Sequence, residues 1–293
     1  MRKAIAVLVV VAVALGVFYL VSKREGDIVL EYKFKPEQLD KYRTTVKMKM
    51  NMPMMMGPSG SSSMDTETTM LMTQKVLSVK PDGSAKIETA LTDMKPKGSA
   101  SSSSWMPPMS DQKYTVTMSK TGKVLDDTDI KKMASSMGMP GMDFSSMNQM
   151  GLGGVLPDRG INVGQTWTDR IPFLMGGGDI EITATLAADN ATVGKRKVCK
   201  IEHEYKGQVD IAEMMKSMSV PGMPSMSGEM DITGTGVVFF SREEGKMIKS
   251  DDKVKVAVKM IMGQTPASKG ATPGGSVTLE MTMDMDSTTR LID

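Results

Sequence analysis

Apolar and polar residues alternate along much of this chain with a period of two positions. One clear example is the stretch 46–52, whose apolar members are Val46, Met48, Met50 and Met52. A second lies near the C-terminus, with the apolar members Met281, Met283 and Met285. Successive side chains of a β-strand point to opposite faces, so this period is typical of a strand with one buried face. Both stretches are therefore predicted to be half-buried strands.

The same alternation, bounded by turn residues, predicts strands along most of the chain. The predicted strands are 28–34, 42–52, 66–79, 84–92, 113–118, 123–125, 179–187, 197–205, 230–240, 246–260 and 276–291. Pro81-Asp82-Gly83, Thr121-Gly122 and Asp189-Asn190 are typical of tight turns between neighbouring strands. Residues 160–178 show no regular pattern. Two stretches, 128–137 and 211–218, have a helical pattern instead.

These elements predict a mainly β fold: one large, curved, antiparallel sheet resembling a half-barrel, with one or two short helices. A sheet of about ten strands tends to curl or split, and its inner face must bury the apolar side chains. Residues 27–293 form the predicted β domain. An echo between 64–83 and 230–245 raises the possibility of two related halves, 27–160 and 161–293.

Long connections rich in Met, Ser, Gly and Pro separate the strands. They are 53–64, 95–111, 138–160, 219–228 and 263–275. In an antiparallel meander, successive connections alternate between the two ends of the sheet. The connections 53–64 and 95–111 should therefore lie at the same end. Loops of this length are uncommon in compact domains and often bind a partner.

The polar residues of the two methionine strands carry opposite charges. Lys47 and Lys49 alternate with the methionines of the first strand, and Asp284 and Asp286 with those of the last. Opposite charges on facing positions stabilise a strand pair. The first and last strands are therefore predicted to be neighbours in the sheet.

The N-terminal residues 1–26 are predicted to form a signal anchor. The run Ala4–Val21 is apolar and uncharged, follows Arg2 and Lys3, and is long enough as a helix to cross a bilayer. A cleaved signal peptide is the alternative, with a small-residue site near Ala12–Ala14. The anchor would tether the protein to the membrane and place the bulk of the chain on the extracytoplasmic side, in the periplasm or at the cell surface.

Composition narrows the functional classes. The formal net charge is +2 and aromatic residues make up 4%, so nucleic acid is not an expected partner. One cysteine excludes an intramolecular disulfide. Methionine is unusually abundant, with 33 residues, and its flexible, polarisable side chain produces adaptable surfaces.

No motif in the sequence indicates an enzyme or a bound cofactor. Cys199 and His203 lie four positions apart on a predicted strand, which separates their Cα atoms by about 13 Å and rules out direct contact. Gly176-Gly177-Gly178 lacks the flanking strand and helix of a phosphate-binding loop. The acidic run 126–129 is too short for a calcium loop and is better explained as the cap of the following helix.

Three parts of the sequence resemble an uncharacterised family of bacterial envelope proteins. They are LPDRGINVGQTWTDRI (156–171), FSREEGKMIKSDDKVKV (240–256) and the alternating methionine strands. The family has a signal sequence, Met/Thr strands and a Val-Gly-x-x-Trp element, which Val163–Trp167 matches here. At the level of the fold, such proteins are similar to the half-barrels that carry lipoproteins and lipids. The resemblance implies that Trp167 is an inward-facing anchor of the sheet.

The methionines are the main candidates for function. We predict that they line a site for an apolar ligand such as a lipid or acyl chain, formed by Met48, Met50, Met52, Trp167, Met281, Met283 and Met285. Thioethers are also soft ligands that suit Cu(I), so a copper site at Met48, Met50, Met52 and Met54 is an alternative. A structural or interaction module without a small ligand, or a sacrificial scavenger of oxidants, also remains open.

Overall fold

The computed structural model describes residues 27–53, 61–98, 112–136, 156–173, 176–218, 226–262 and 277–292. The predicted signal anchor and the central parts of the long connections lie outside these ranges. Within them, no helix is long and apolar enough to cross a membrane.

The described chain is mainly β, as predicted, with eleven strands and two short helices. The strands are β1 (Leu39–Pro53), β2 (Ser61–Val79), β3 (Ala85–Gly98), β4 (Gln112–Met118), β5 (Val124–Asp126), β6 (Thr166–Pro172), β7 (Asp179–Val193), β8 (Arg196–Asp210), β9 (Met226–Ser241), β10 (Lys246–Met262) and β11 (Val277–Ile292). The helices are α1 (Thr128–Ser136) and α2 (Ile211–Met218).

All eleven strands form one antiparallel sheet in the order β5-β4-β3-β2-β1-β11-β10-β9-β8-β7-β6. The chain builds it as two meanders that join where β1 pairs with β11. The predicted adjacency of the two methionine strands is thus confirmed. Lys47 lies opposite Asp286 and Lys49 opposite Asp284. Both proposed halves, 27–160 and 161–293, therefore contribute to a single sheet.

The antiparallel register also confirms that the connections after β1 and β3 leave from the same end of the sheet. The start of β9, the end of β10 and the start of β11 lie at this end as well. We call this end of the sheet the methionine rim, because most of the long Met-rich connections begin or end there.

The sheet is not closed, and the strand count explains why its edges do not pair in the antiparallel manner. Alternating directions over eleven strands leave β5 and β6 running the same way. The two edges nevertheless approach each other, since Leu125 of β5 and Arg170 of β6 line a common cavity of about 250 Å³. The sheet is therefore curved, with a seam between its edge strands.

Two core clusters lie on the inner face of the sheet. The first combines residues from both meanders, and its members include Tyr42, Ile87, Val116, Ile201 and Phe240. The second lies nearer the methionine rim under α2, and its members include Ile182, Tyr205, Ile211, Ile232 and Val256. Residues from β3 and β4 belong to the same cluster as residues from β8 and β9. The curved sheet therefore encloses the first cluster between its two meanders.

The prediction of a regular strand at 28–34 is wrong. Only Ile28 pairs, in an isolated bridge with Ile161. The backbone amides of Tyr32 and Lys33 donate to two different elements, the carbonyls of Lys120 (2.7 Å) and Gly245 (3.0 Å). The alternation reflects burial, since Leu30 and Tyr32 are 1% and 5% exposed in the first core cluster. This segment closes one end of the core without joining a ladder.

Two further differences concern the region before β8. The stretch 160–178 contains β6, whose side chains are mostly exposed and so give a weak apolar period. The predicted turn at Asp189-Asn190 is also wrong, because β7 continues to Val193 through register shifts. The turn falls instead at Gly194, whose positive φ of 60° suits a glycine.

Both predicted helices are present and have side-chain caps. The Asp126 carboxylate accepts a hydrogen bond from the backbone amide of Thr128 (3.0 Å), which agrees with the predicted capping role of the acidic run. The Asp210 carboxylate accepts from the amides of Ala212 (2.7 Å) and Glu213 (3.1 Å) at the start of α2. Such caps satisfy amides that have no partner inside the helix.

Candidate functional site

The inner face of the sheet carries a patch of half-buried methionines near the methionine rim. We call this patch the methionine face, and its members are Met48, Met50, Met64, Met281, Met283 and Met285. They come from three adjacent strands, β2, β1 and β11. Five of the residues predicted to line an apolar site thus lie together on one face.

The register places these methionines directly beside one another. Met48 of β1 faces Met285 of β11, and Met50 faces Met283. On its other side, Met50 faces Met64 of β2. Facing residues of neighbouring strands have Cβ atoms about 4.5–5.5 Å apart, so their side chains are within reach of each other. The methionine face is therefore a continuous thioether surface.

The second core cluster supports the methionine face from one side. Met283 packs against this cluster, and so do Met230 and Met260 of the neighbouring strands β9 and β10. The outer face behind it carries the exposed lysines and aspartates of β1 and β11. Apolar and charged side chains are thus cleanly separated between the two faces of these strands.

The remaining predicted lining residues do not belong with this patch. Trp167 lies on the edge strand β6, six strands away from β1, and packs half-buried against the first core cluster. Its predicted inward orientation agrees with this packing. Met52 of β1 pairs with Ser62 of β2, but its side chain is outside the described part of the structure. Met54, the fourth member of the alternative copper set, lies outside the described residues.

A second feature of the inner face is a hydrogen-bonded network around Asp252, which the sequence did not predict. The Asp252 carboxylate lies 2.7 Å from Nε2 of His203. It accepts hydrogen bonds from the hydroxyls of Tyr205 (2.9 Å) and Ser250 (2.6 Å). His203 is almost completely buried, with 1% of its side chain exposed, and Asp252 is 13% exposed. The network therefore satisfies a buried carboxylate with three neighbouring side chains.

Two glycines of β9 make this network possible. His203 and Asp252 lie on β8 and β10, one strand apart from each other, with Gly236 between them in the register. A Cβ atom added to Gly236 would lie 2.2 Å from both Nε2 of His203 and Oδ1 of Asp252. At Gly234, an added Cβ would lie 3.1 Å from the Tyr205 ring. The side chains meet because the intervening strand has no side chain at these positions.

The electrostatics of the network keep Tyr205 protonated. Burial raises the pKa of Tyr205 well above its ordinary value, and the negative charge of Asp252 raises it further. The phenol therefore remains a hydrogen-bond donor to the carboxylate. Nδ1 of His203 is buried and has no hydrogen-bond partner among the described residues.

Cys199 and His203 share the inner face, as the strand prediction required, but have different partners. The Cys199 thiol lies 4.0 Å from the backbone carbonyl of Asp189, and burial raises its pKa. His203 contacts Asp252 instead. A raised thiol pKa lowers the fraction of thiolate, which is the nucleophilic form. The two residues do not form a nucleophile–base pair.

The outer face has a polar groove of about 790 Å³ that crosses β1, β11, β10, β9, β8 and β7. Hydroxyl and charged side chains dominate its lining, among them Thr45, Lys47, Thr183, Glu204, Thr235 and Lys253. An apolar ligand needs an apolar lining, so this groove does not suit one. Within the described ranges, no group of three His, Cys, Asp or Glu side chains is placed to hold a metal ion.

One signal in the sequence could have identified the Asp252 network. Ser250 and Asp252 occupy inward positions of β10 that continue as Val254 and Val256. Polar residues in an apolar period, opposite a Gly-Thr-Gly strand, indicate a buried polar site with backbone space beside it.

No protein-family model matches this chain, and no curated protein matches it. The resemblance to an envelope-protein family therefore stays a prediction.

Proposed function

We propose that the protein binds an apolar ligand, such as a lipid or acyl chain, on the methionine face, without catalysing a reaction. The observation that carries this proposal is the continuous, half-buried thioether surface formed by β2, β1 and β11. Full burial of a methionine side chain contributes about 1.5–3 kcal/mol, so a ligand that covers several of them gains substantial free energy.

The character of these side chains supports a ligand without a fixed shape. Methionine is unbranched and has three rotatable bonds, so a methionine surface adapts to an acyl chain more readily than an aromatic surface does. The position of the patch also supports the proposal. It lies at the methionine rim, near the ends of β1, β2 and β11.

The location of the protein is part of the same proposal. Residues 4–21 would tether the chain to the membrane, with the β domain on the extracytoplasmic side. A tether of this kind would keep the β domain beside the bilayer, which is the source of such a ligand. Apolar patches on a protein surface mark interaction sites of this type.

Native mass spectrometry of residues 27–293 tests the proposal, because this segment contains every strand and both core clusters. We expect co-purified or added phospholipid to remain bound. Changing Met48 and Met285 together to glutamine should weaken lipid binding at least tenfold, since an amide replaces each thioether at similar length. Leucine at the same two positions should preserve binding.

Lys47→Gln is the matched control, because Lys47 neighbours Met48 on the same strand but points to the outer face. It should leave lipid binding unchanged. Equal lipid binding by the glutamine variant and the wild type would overturn the proposal. Absence of lipid from the wild type under all conditions would favour the interaction module.

A further inference from the structure

The structure aligns three methionines from three neighbouring strands in a single row. Met64 of β2, Met50 of β1 and Met283 of β11 are successive partners in the sheet register. β1 and β2 are joined along the chain, but β11 lies at the far end of the sequence. This thioether row is therefore a product of the β1–β11 pairing.

The row brings the Cβ atoms of its methionines closer together than a single strand does. Methionines two positions apart on one strand are separated by about 7 Å, whereas adjacent strands lie about 4.8 Å apart. Neighbouring Cβ atoms of the row are about 5 Å apart, and the two outer ones, on Met64 and Met283, are about 10 Å apart, a distance that flexible side chains can close by turning toward Met50. Met285 and Met48 form the next row and supply further thioethers beside it.

The surroundings of the row select the kind of cation. On the Met283 side the next residue in the register is Val256, which is buried at 7% exposure, so an apolar wall closes that side. The carboxylates of β11 point to the opposite face. A donor set of neutral sulfur atoms without carboxylate or imidazole suits soft monovalent ions such as Cu(I) and Ag(I), and disfavours Zn²⁺, Mg²⁺ and Ca²⁺.

We propose that Met64, Met50 and Met283 form a three-thioether site for a soft monovalent cation, Cu(I) or its analogue Ag(I), on the methionine face. This site replaces the single-strand set of Met48, Met50, Met52 and Met54 that the sequence suggested. It is independent of lipid binding, because a metal requires sulfur whereas a lipid requires only apolar volume.

Silver(I) is a suitable probe, because it needs no reductant and binds thioethers. We expect titration of the protein with labelled methionine methyl groups to shift the NMR signals of Met50, Met64 and Met283, with saturation near one equivalent. Cu(I), titrated anaerobically against a chromophoric chelator, should bind at the same stoichiometry. Leucine variants at single positions assign the signals.

The decisive variant changes Met50, Met64 and Met283 together to leucine. It should lose one equivalent of Ag(I) and of Cu(I) and keep its thermal unfolding midpoint, because leucine preserves the apolar volume. The matched control changes three half-buried methionines elsewhere, Met72, Met94 and Met215, to leucine, and it should keep the full stoichiometry.

Retention of the wild-type stoichiometry and affinity by the row variant would overturn the proposal, as would an equal loss in the control. The same protein samples separate this result from the fate of the lipid proposal. If the row variant loses silver but still binds phospholipid, both proposals stand. If the wild type binds silver at the row but no lipid, only the lipid proposal fails.

Discussion

Replacing Gly236 by alanine tests the Asp252 network with a single methyl group. The added Cβ would lie 2.2 Å from Nε2 of His203 and from Oδ1 of Asp252, far inside van der Waals contact. His203 is buried and cannot move into solvent without opening the core, and Asp252, at 13% exposure, has room only toward the outer groove that it lines. One of them must shift, and the 2.7 Å contact between His203 and Asp252 must lengthen or break.

The expected magnitude follows from two opposing effects. A glycine-to-alanine change at a compatible position stabilises a protein by about 0.4–1 kcal/mol, because it restricts the unfolded chain. Losing a hydrogen bond to a charged group costs about 1.5–3 kcal/mol, and a carboxylate left with fewer partners in the interior adds to that cost. We therefore expect a net destabilisation of about 2–5 kcal/mol. For a domain of this size, that lowers the unfolding midpoint by roughly 5–15 °C.

Thermal and urea unfolding followed by far-ultraviolet circular dichroism measure this change. Thr235→Ala is the matched control, since Thr235 is the adjacent residue of β9 and is exposed on the outer face. Its effect should stay within about 1 kcal/mol. A second test introduces Gly236→Ala after His203 and Asp252 have both been changed to alanine. With the clashing atoms removed, the added methyl should cost almost nothing or stabilise the protein.

Two outcomes of these unfolding experiments would contradict the described network. If the Gly236→Ala protein has an unfolding midpoint equal to or higher than that of the wild type, the network does not span β9 as described. If the cost is the same in the doubly substituted background, the methyl group clashes with something other than His203 and Asp252.

The remaining predictions concern the core. Leu30→Ala should destabilise the protein by about 2–5 kcal/mol in urea unfolding, because it leaves a cavity in the first core cluster. Val29→Ala is the control, since Val29 is 54% exposed, and it should cost less than about 1 kcal/mol. Equal costs would contradict the burial of this segment. The pKa of Tyr205 is raised in the folded state, so its proton contributes to the free energy of unfolding. This contribution is complete below the unfolded tyrosine pKa of about 10 and is lost as the pH rises above it. Urea midpoints should therefore fall above pH 10, and Tyr205→Phe should reduce the slope by up to about 1.4 kcal/mol per pH unit; an ordinary tyrosine titration of the native protein near pH 10 would refute this.

Local sequence rules predicted the strands with the strongest alternation most accurately. The strand at 42–52 was observed as Leu39–Pro53 and the one at 276–291 as Val277–Ile292. The opposite charges on their polar faces also identified them as neighbours, because facing positions of paired strands favour complementary charges. β6 was missed because this short strand has only three inward positions, and Asp169 interrupts the apolar pair Trp167 and Ile171, so its period was too weak to recognise.

The Asp252 network shows why site geometry was harder to predict. His203, Gly236 and Asp252 come from three strands, and the contact depends on the register of two strand pairs. A shift of one residue in either pair would move a side chain to the opposite face of the sheet. Alternation determines which residues of a strand share a face of the sheet. It does not determine which residue of a distant strand pairs with each of them.

The sequence by itself determined the β class, the strand periodicity, both short helices and the apolar side of each methionine strand. These features depend on residues close together along the chain, where backbone geometry and turn chemistry act locally. Only the tertiary structure decided the thioether row, the buried carboxylate network and the separation of Trp167 from the methionine face. The thioether row depends on the pairing of β1 with β11, which brings together residues more than two hundred positions apart. The network depends on the registers of β8, β9 and β10, and the position of Trp167 on the strand order.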